Sequence, residues 1–237
     1  MMKRRNDPRL FYESIADRFE GLDHPYDIAR RLELVFGELL DPGALRGRRL
    51  LDAGCGYGAF SRLAAKHGAK VVSCDIATTL VRRASETAST LGVIADACAL
   101  GFRDGAFDVV ISSEMVEHVE RPAEAVKELA RVLQPGGLLV ITTPNRVWQG
   151  VVRLASRLRL RPFHGLENFL RWSELDLACV ASGLRILTHI GFHAWPFQFG
   201  FPDLSRTVDR RFGAARFARL MINQALVARK PGSPQSA

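Results

Sequence analysis

Three carboxylates lie close to the ends of apolar, strand-like segments in the first half of the chain. Asp52 ends the first segment and precedes a glycine-rich run at residues 54–58, and Asp75 and Asp96 end the next two segments. Glycines allow a sharp turn and a close approach of ligand to backbone, because no Cβ intervenes. A helix that follows such a turn directs backbone N–H groups toward the ligand. The pattern predicts an extended polar ligand that crosses several strand ends.

The spacing of these carboxylates narrows the class of ligand. Asp75 lies 21 residues after Gly54, where a carboxylate can accept hydrogen bonds from both hydroxyls of a ribose. Asp96 is suited to accept from an adenine amino group. Residues 54–59 also fit the dinucleotide pattern G-x-G-x-x-A, which leaves an NAD(P)-dependent oxidoreductase as one hypothesis. Asp52 would repel a diphosphate and attract an ammonium group, which favours an adenosyl ligand with an amino-acid end.

A second reactive cluster follows the fourth apolar segment. In a helical turn Glu114, Glu117 and His118 would share one face, at spacings i, i+3 and i+4. Three interpretations stay open at this point. The cluster could bind Mg²⁺, Mn²⁺ or Zn²⁺, it could supply His118, with Glu117, as a catalytic base near neutral pH, or it could only begin a surface helix.

The carboxylates and the histidine must be positioned by strands and helices, which the sequence predicts in alternation. Helical segments are predicted at residues 60–66, 78–90 and 123–133, and they separate strand-like segments at 49–52, 71–75, 93–96, 106–112 and 138–143. This alternation predicts a parallel sheet with helices on both faces. Ligands of such sheets bind at the carboxyl ends of the strands, where the carboxylates and the histidine fall.

The remaining segments are predicted to surround this core. Residues 8–40 are predicted to be largely helical with an interruption at 21–25, 174–181 to form a helix, and 185–191 and 226–229 to form strands, with an insertion at 192–222. Segment 146–161 interleaves arginines with apolar residues. It is predicted to be either a helix at a membrane interface or a cap helix packed on the sheet. The aromatic residues of the two insertions would form a lid over a flat acceptor or seal the cap.

The chain resembles the class I S-adenosylmethionine-dependent methyltransferases. The resemblance rests on five stretches in the family's order, at residues 50–58 (LLDAGCGYG), 71–75 (VVSCD), 95–97, 107–119 (FDVVISSEMVEHV) and 132–144 (VLQPGGLLVITTP). It implies an α/β fold with a Rossmann-like, seven-stranded, mostly parallel sheet, helices on both faces and an antiparallel last strand. It also implies a small N-terminal helical lid.

The resemblance implies which residues bind S-adenosyl-L-methionine. Gly54, Gly56 and Gly58 would pack against its methionine part, while Asp75 binds the ribose and Asp96 the adenine. Tyr12 of the N-terminal helix would cover the cofactor, together with Phe19. The rest of the expected cofactor site is Asp52, Cys55, Ile76, Ala97, Ser113 and Arg31.

The E-x-x-E-H element resembles that of two methyltransferase groups. One group is the ubiquinone-biosynthesis O-methyltransferases, which act on catechol-like polyprenyl rings. The other is the small-RNA 3′-terminal 2′-O-methyltransferases, in which a later histidine completes a metal site, and His164 would be that histidine here. The chain contains no added RNA-binding module, which favours the first group. The expected reaction is methylation of a hydroxyl oxygen on a small metabolite, such as a quinone precursor, and RNA 2′-O methylation is the alternative.

The length and composition of the chain are consistent with an ordinary globular enzyme. The chain has 237 residues, of which 47% are hydrophobic and 24% charged, and a net charge of +8, as expected for one globular domain of ordinary composition. We expect a cytoplasmic location, a small-molecule acceptor, no stable nucleic-acid partner and no transmembrane segment, with peripheral membrane contact left open. The predicted parts are a lid at 1–43, the cofactor core at 44–145, cap insertions with the last strands at 146–230, and a disordered tail at 231–237.

Overall fold

The computed structural model describes residues 7–22, 24–158, 165–196 and 202–232. Within these ranges seven strands form one sheet in the order β3-β2-β1-β4-β5-β7-β6, and β7 runs antiparallel to both of its neighbours. The strands are β1 Arg49–Ala53, β2 Lys70–Asp75, β3 Leu91–Ile94, β4 Phe107–Ser113, β5 Leu133–Pro144, β6 Arg185–Phe192 and β7 Asn223–Arg229. The prediction of a mostly parallel, Rossmann-like sheet with an antiparallel last strand is confirmed.

Helices cover both faces of the sheet. The α-helices of the described residues are α1 Pro8–Ile15, α2 Pro25–Glu33, α3 Ala59–Lys66, α4 Thr78–Ala88, α5 Pro122–Val132, α6 Gln149–Arg157, α7 Trp172–Ala181 and α8 Pro202–Phe212. Leu50 and Leu51 are fully buried but belong to different hydrophobic clusters, because neighbouring side chains in a strand point to opposite faces. Leu51 packs in the cluster that contains α5 and α7, and Leu50 packs in the cluster that contains α3.

Several element bounds differ from the prediction. The N-terminal helical region is divided into α1, two short 3₁₀ segments, α2 and a π-helical segment at Leu34–Leu39. Strand β3 ends at Ile94 instead of Asp96, because the Asp96 carboxylate accepts a hydrogen bond from the backbone of Cys98 at 2.8 Å and so forms a turn. Strand β5 begins at Leu133, since the Gln-Pro-Gly-Gly run stays within the strand. His164 and the end of the tail, 233–237, lie outside the described residues.

Candidate active site

A cavity of about 240 Å³ opens at the carboxyl ends of β1 to β4, beneath α1. Nine residues predicted from the sequence lie on its wall: Tyr12, Phe19, Gly54, Asp75, Ile76, Asp96, Ala97, Glu114 and His118. The other predicted residues are buried outside this wall: Arg31, Asp52, Cys55, Gly56, Gly58, Ser113 and Glu117. The structure therefore brings the carboxylate that ends β2 and the one that follows β3 together with the histidine that follows β4.

The glycine-rich loop owes its composition to packing within the protein. Gly54 has φ +79°, and a Cβ there would lie 2.6 Å from the Cβ of Met115. Gly58 has φ +89°, and a Cβ there would lie 2.8 Å from the Cα of Ala84 in α4. Both the left-handed backbone and the contacts exclude a larger residue. The expectation that all three glycines contact the ligand is not supported, because only Gly54 lies on the cavity wall.

Asp75 links the ends of β1 and β2. One carboxylate oxygen accepts from the backbone N–H of Gly56 at 3.1 Å, and the other accepts from that of Ala77 at 3.0 Å. Burial raises the pKa of Asp75 despite these hydrogen bonds, which lower it. Each carboxylate oxygen has more than one acceptor site. Asp75 can therefore hold the glycine loop and still accept hydrogen bonds from a ligand in the cavity.

The structure corrects the role expected for Asp52. Its carboxylate is 1% exposed and accepts a hydrogen bond from Ser61 Oγ of α3 at 2.6 Å. Ser61 Oγ lies 2.7 Å from Ser73 Oγ, which lies 2.6 Å from Thr90 Oγ1. Asp52 thus faces a buried chain of hydroxyl groups, away from the cavity, and this geometry does not support binding of a ligand ammonium group. Burial raises its pKa to about 6.

We expect Asp52→Asn to change how stability depends on pH. The folded-state pKa of about 6 is above the ordinary value of 3.8. The stabilisation from Asp52 is therefore fully present below about pH 4 and is lost as pH rises through about 6. Urea unfolding between pH 4 and 7.5 should show that loss in the wild type and not in the variant. Asp108→Asn is the control, because Arg49 lowers the pKa of Asp108 and the sign is reversed. Parallel stability curves for Asp52→Asn and wild type would contradict the assignment.

Helix α1 is fixed over the cavity by α4. The carboxylate of Glu13 accepts hydrogen bonds from the backbone N–H of Thr79, at 3.3 Å, and from the hydroxyl of the same residue. Arg83 of α4 donates to the carbonyl of Ala16 at 2.9 Å. These contacts orient Tyr12 toward the cavity. Helix α1 thus lies beside the cavity, and its action as a lid over the cofactor stays a prediction.

Tyr12 supplies a buried hydroxyl group to the cavity. Its ring makes edge contacts with Phe19 and His118, with centroid distances of 6.2 and 5.9 Å. Among the described residues no group forms a hydrogen bond with the hydroxyl, although it is buried. Burial and the nearby charges of Glu117 and Asp75 raise the pKa of this phenol. A buried hydroxyl without a hydrogen-bond partner costs free energy. A polar ligand bound in the cavity would supply that partner.

Glu114 lies at the junction of β4, β5 and β7. Its backbone has φ +51°, and its carboxylate accepts from Thr142 Oγ1 at 3.1 Å and from Asn223 Nδ2 at 3.2 Å. Thr142 also lies 2.9 Å from Ser113 Oγ, which accepts from Arg31 at 3.3 Å. Burial and the neighbouring Glu117 raise the pKa of Glu114 well above its ordinary value.

Glu117 and His118 belong to a single 3₁₀ turn, Val116–His118. His118 Nδ1 lies 2.7 Å from the carbonyl oxygen of Leu166, and a carbonyl can only accept. Nδ1 therefore carries the proton, and in the neutral ring Nε2 is the basic nitrogen. Nε2 lies 3.9 Å from Glu117 Oε1. Burial raises the pKa of Glu117 to about 7, while the hydroxyl of Thr143, which donates to it at 2.9 Å, lowers it.

The predicted metal set does not form. Glu114 has a left-handed backbone and lies outside the 3₁₀ turn, so the prediction of a shared helical face for Glu114, Glu117 and His118 is wrong. Each of the three side chains has a different protein partner: Thr142 and Asn223, Thr143, and the Leu166 carbonyl. Within the described ranges, no three His, Cys, Asp or Glu side chains come together as metal binding requires.

Sequence reasoning missed the polar residues that support the reactive end of the site. These are Thr142 and Thr143 at the end of β5, Asn223 at the start of β7, and Asn168 between α6 and α7. The two threonines interrupt an apolar strand at its carboxyl end, and this pattern could have identified them as site residues. Asn168 has no local signal, because it contacts a turn about 50 residues earlier in the chain.

Comparison with known proteins identifies the class of enzyme. Residues 51–141 match the model of a methyltransferase domain family. The chain is 33% identical over 176 residues to a ubiquinone biosynthesis O-methyltransferase of Coxiella burnetii, covering 70% of this chain and 75% of that protein. The protein belongs to the class I S-adenosylmethionine-dependent methyltransferases.

A second relative and one solved structure also match the chain. A ubiquinone biosynthesis O-methyltransferase of Rhizobium etli is 34% identical over 179 residues, covering 71% of this chain and 72% of that protein. The fold matches magnesium protoporphyrin IX methyltransferase of Synechocystis PCC 6803, solved with S-adenosylhomocysteine (SAH) bound. The TM-score is 0.67 at 20% identity, and the match covers 94% of this chain and 97% of that one.

Proposed function

We propose that the protein transfers a methyl group from S-adenosylmethionine to a hydroxyl oxygen of a small ring metabolite, such as a catechol-like quinone precursor. One observation carries the proposal. His118 lies on the cavity wall with its Nδ1 proton held by the Leu166 carbonyl, which leaves Nε2 basic. The similarity to ubiquinone biosynthesis O-methyltransferases supports this acceptor class. These relatives give no support to the alternative of RNA methylation.

The cofactor, when bound, supplies an electrophilic methyl group on a sulfonium centre. A neutral hydroxyl is a poor nucleophile, so the protein must remove its proton while holding it in line with the methyl group. His118 Nε2 accepts that proton. The Glu117 carboxylate, 3.9 Å away, stabilises the resulting imidazolium. Tyr12 and Phe19 cover the cavity and limit the access of water.

The cofactor residues we propose follow the cavity wall. Asp75, at the end of β2, binds the ribose hydroxyls, and Ile76 follows it. Asp96 and Ala97, after β3, bind the adenine. Gly54, Glu114 and the Tyr12 hydroxyl border the methionine end. Asp52, Cys55, Gly58 and Ser113 support these groups from behind the wall.

We derive no step through a metal ion, because Glu114, Glu117 and His118 have separate protein partners. The test incubates the purified protein with labelled S-adenosylmethionine and a catechol, a sugar, a polyketide and an RNA oligonucleotide, each with and without a chelator. We expect methylation of the catechol hydroxyl that persists with chelator. Methylation of the RNA alone would overturn the acceptor assignment, and complete loss of turnover with chelator would restore the metal interpretation.

Helix α6 supports a peripheral contact with a membrane. No residue of α6 is buried, and Val147, Val151, Leu154 and Leu158 are each more than half exposed along one side. Arg146, Arg153 and Arg157 lie together along one border of this apolar stripe. An exposed apolar stripe with arginines at its border is typical of helices that lie in a bilayer interface. Among the described residues, no helix has the length and apolar character needed to cross a bilayer.

We expect the protein to sediment with anionic vesicles through α6, which would bring the cavity close to acceptors with polyprenyl tails. Leu154→Glu should lower vesicle binding by about tenfold or more, because it places a charge in the apolar stripe. Leu91→Glu is the matched control, since Leu91 is 65% exposed on the edge strand β3. Equal loss of binding in both variants, or no loss in either, would contradict a specific role for α6.

A further inference from the structure

We propose that Asn168 is a positioning residue that holds the turn carrying His118, while the nearby Leu166 carbonyl fixes the tautomer of the histidine. This inference rests on the proposed role of His118 as a base. It extends that role to a segment, residues 165–170, that no motif includes.

Asn168 contacts the turn on both sides of His118. Its backbone N–H donates to the carbonyl of Glu117 at 2.6 Å, and its side-chain Nδ2 donates to the carbonyl of Val119 at 2.8 Å. Leu166, two residues earlier, accepts the hydrogen bond from His118 Nδ1 at 2.7 Å. The three consecutive residues 117–119 thus each form a hydrogen bond with Leu166 or Asn168.

The turn needs this external support because it has little of its own. It is a 3₁₀ segment of three residues, and His118 N–H donates to the Met115 carbonyl at 2.9 Å. Glu114 before it has a left-handed backbone and Val119 after it is extended, so no helix continues on either side. Short 3₁₀ turns have poor hydrogen-bond geometry. The direction of the His118 ring therefore depends on contacts from elsewhere in the chain.

The supporting segment is itself attached to the sheet and to α6. Gln149 Nε2 of α6 donates to the Glu167 carbonyl at 2.9 Å. Gln224 Nε2 of β7 donates to the Leu170 carbonyl at 2.8 Å, and Phe169 is 4% exposed. Asn168 therefore connects the His118 turn to rigid elements and can fix the ring at a defined place on the cavity wall.

The amide of Asn168 has a specific function in this arrangement. Alanine keeps the backbone hydrogen bond to Glu117 and removes the donor to Val119. Aspartate has nearly the same shape but cannot donate, and its charge would face the Val119 carbonyl and lie near Glu117. The two variants separate the loss of one hydrogen bond from active repulsion.

The test compares Asn168→Ala and Asn168→Asp with Asn145→Ala. Asn145 is the matched control, because its side chain also donates to a backbone carbonyl, that of Arg219 at 2.7 Å, and its replacement leaves the backbone bridge from Asn145 to Leu170 in place. Displacement of a base by a fraction of an ångström predicts a fall in kcat of about 10- to 100-fold in Asn168→Ala and more in Asn168→Asp. KM for S-adenosylmethionine and the Kd for SAH should stay within about twofold, because neither depends on proton removal.

The second readout is the ¹⁵N NMR spectrum of protein labelled at histidine. The wild type and Asn145→Ala should show His118 with its proton on Nδ1, and Asn168→Ala should show a mixture of tautomers. If Asn168→Ala fails to fold, Gln149→Ala loosens the same segment and should change the same signal with a smaller fall in kcat. Wild-type kcat with an unchanged His118 signal in a folded Asn168→Ala protein would overturn the proposal. Full activity in His118→Ala would instead refute the proposed base, while the NMR readout would still decide whether Asn168 positions the ring.

Discussion

Replacement of His118 by alanine should lower kcat by roughly 10²- to 10⁴-fold, the usual contribution of a positioned general base. The reason is the geometry around the ring. Nδ1 is protonated because it faces a carbonyl oxygen, Nε2 is basic, and Glu117 lies close enough to stabilise the charge that proton transfer creates. Single-turnover kinetics with a catechol acceptor would measure the effect, and the Kd for SAH should change little.

The pH dependence of the variant gives a further check. The acceptor hydroxyl ionises without assistance as pH rises, so the defect of His118→Ala should become smaller at high pH. His67→Ala is the control, since His67 is the C-cap of α3 and does not line the cavity. Wild-type kcat in His118→Ala at neutral pH would exclude this histidine as the base.

Replacement of Asp75 by alanine should weaken SAH binding by about 1–3 kcal/mol, which is the cost of losing hydrogen bonds to a charged group. The same change removes the acceptor for the backbone N–H groups of Gly56 and Ala77, so the glycine loop also loses its fixed shape. Isothermal titration calorimetry with SAH measures the loss directly. The loss of ligand hydrogen bonds and the loss of the loop's shape both weaken SAH binding.

Two companion variants separate the contributions at this site. Asp75→Asn keeps one oxygen acceptor and should retain part of the affinity. Asp108→Asn is the control, because Asp108 lies at the opposite end of the sheet and pairs with Arg49. An unchanged Kd in Asp75→Ala would contradict the assignment of Asp75 to the ribose.

The sequence was sufficient to predict the sheet and the cavity wall. Apolar strands separated by helices predict a parallel sheet, and polar residues at the ends of such strands must meet at one edge. Asp75, Asp96 and His118 were found in this way, and all three lie on the wall of the cavity. Errors of one or two residues in the strand ends, as at β3, do not move these residues away from that edge.

Side-chain direction was harder to predict than position. Asp52 shares a face of β1 with Leu50, two residues earlier, and both therefore point toward the helices α2 and α3, where Ser61 lies. The alternation of side chains along β1 therefore predicts the direction of Asp52. The sequence prediction instead placed its carboxylate in the ligand site, because it lies beside a glycine turn. The left-handed backbone of Glu114 had no signal in the sequence, and it is the reason why the predicted helical face does not form.

Contacts to the site from residues far away in the chain could not be predicted from sequence patterns. The carbonyl of Leu166 determines which nitrogen of His118 is basic, yet Leu166 lies 48 residues later in a segment without regular structure. A backbone carbonyl has no residue preference, so no motif can reveal it. Similar reasoning applies to Thr143, which supports Glu117 only because β5 lies beside β4.

The position of β7 has a consequence for the synthesis of the enzyme. β7 lies between β5 and β6, although it follows both in the chain, and Asn223 at its start donates to Glu114. β5 and β6 therefore leave the ribosome before the strand that joins them. During that interval two unpaired strand edges are open to other nascent chains, and the reactive end of the cavity is incomplete. Association of unfinished chains should thus be greatest while β5 has left the ribosome and β7 has not.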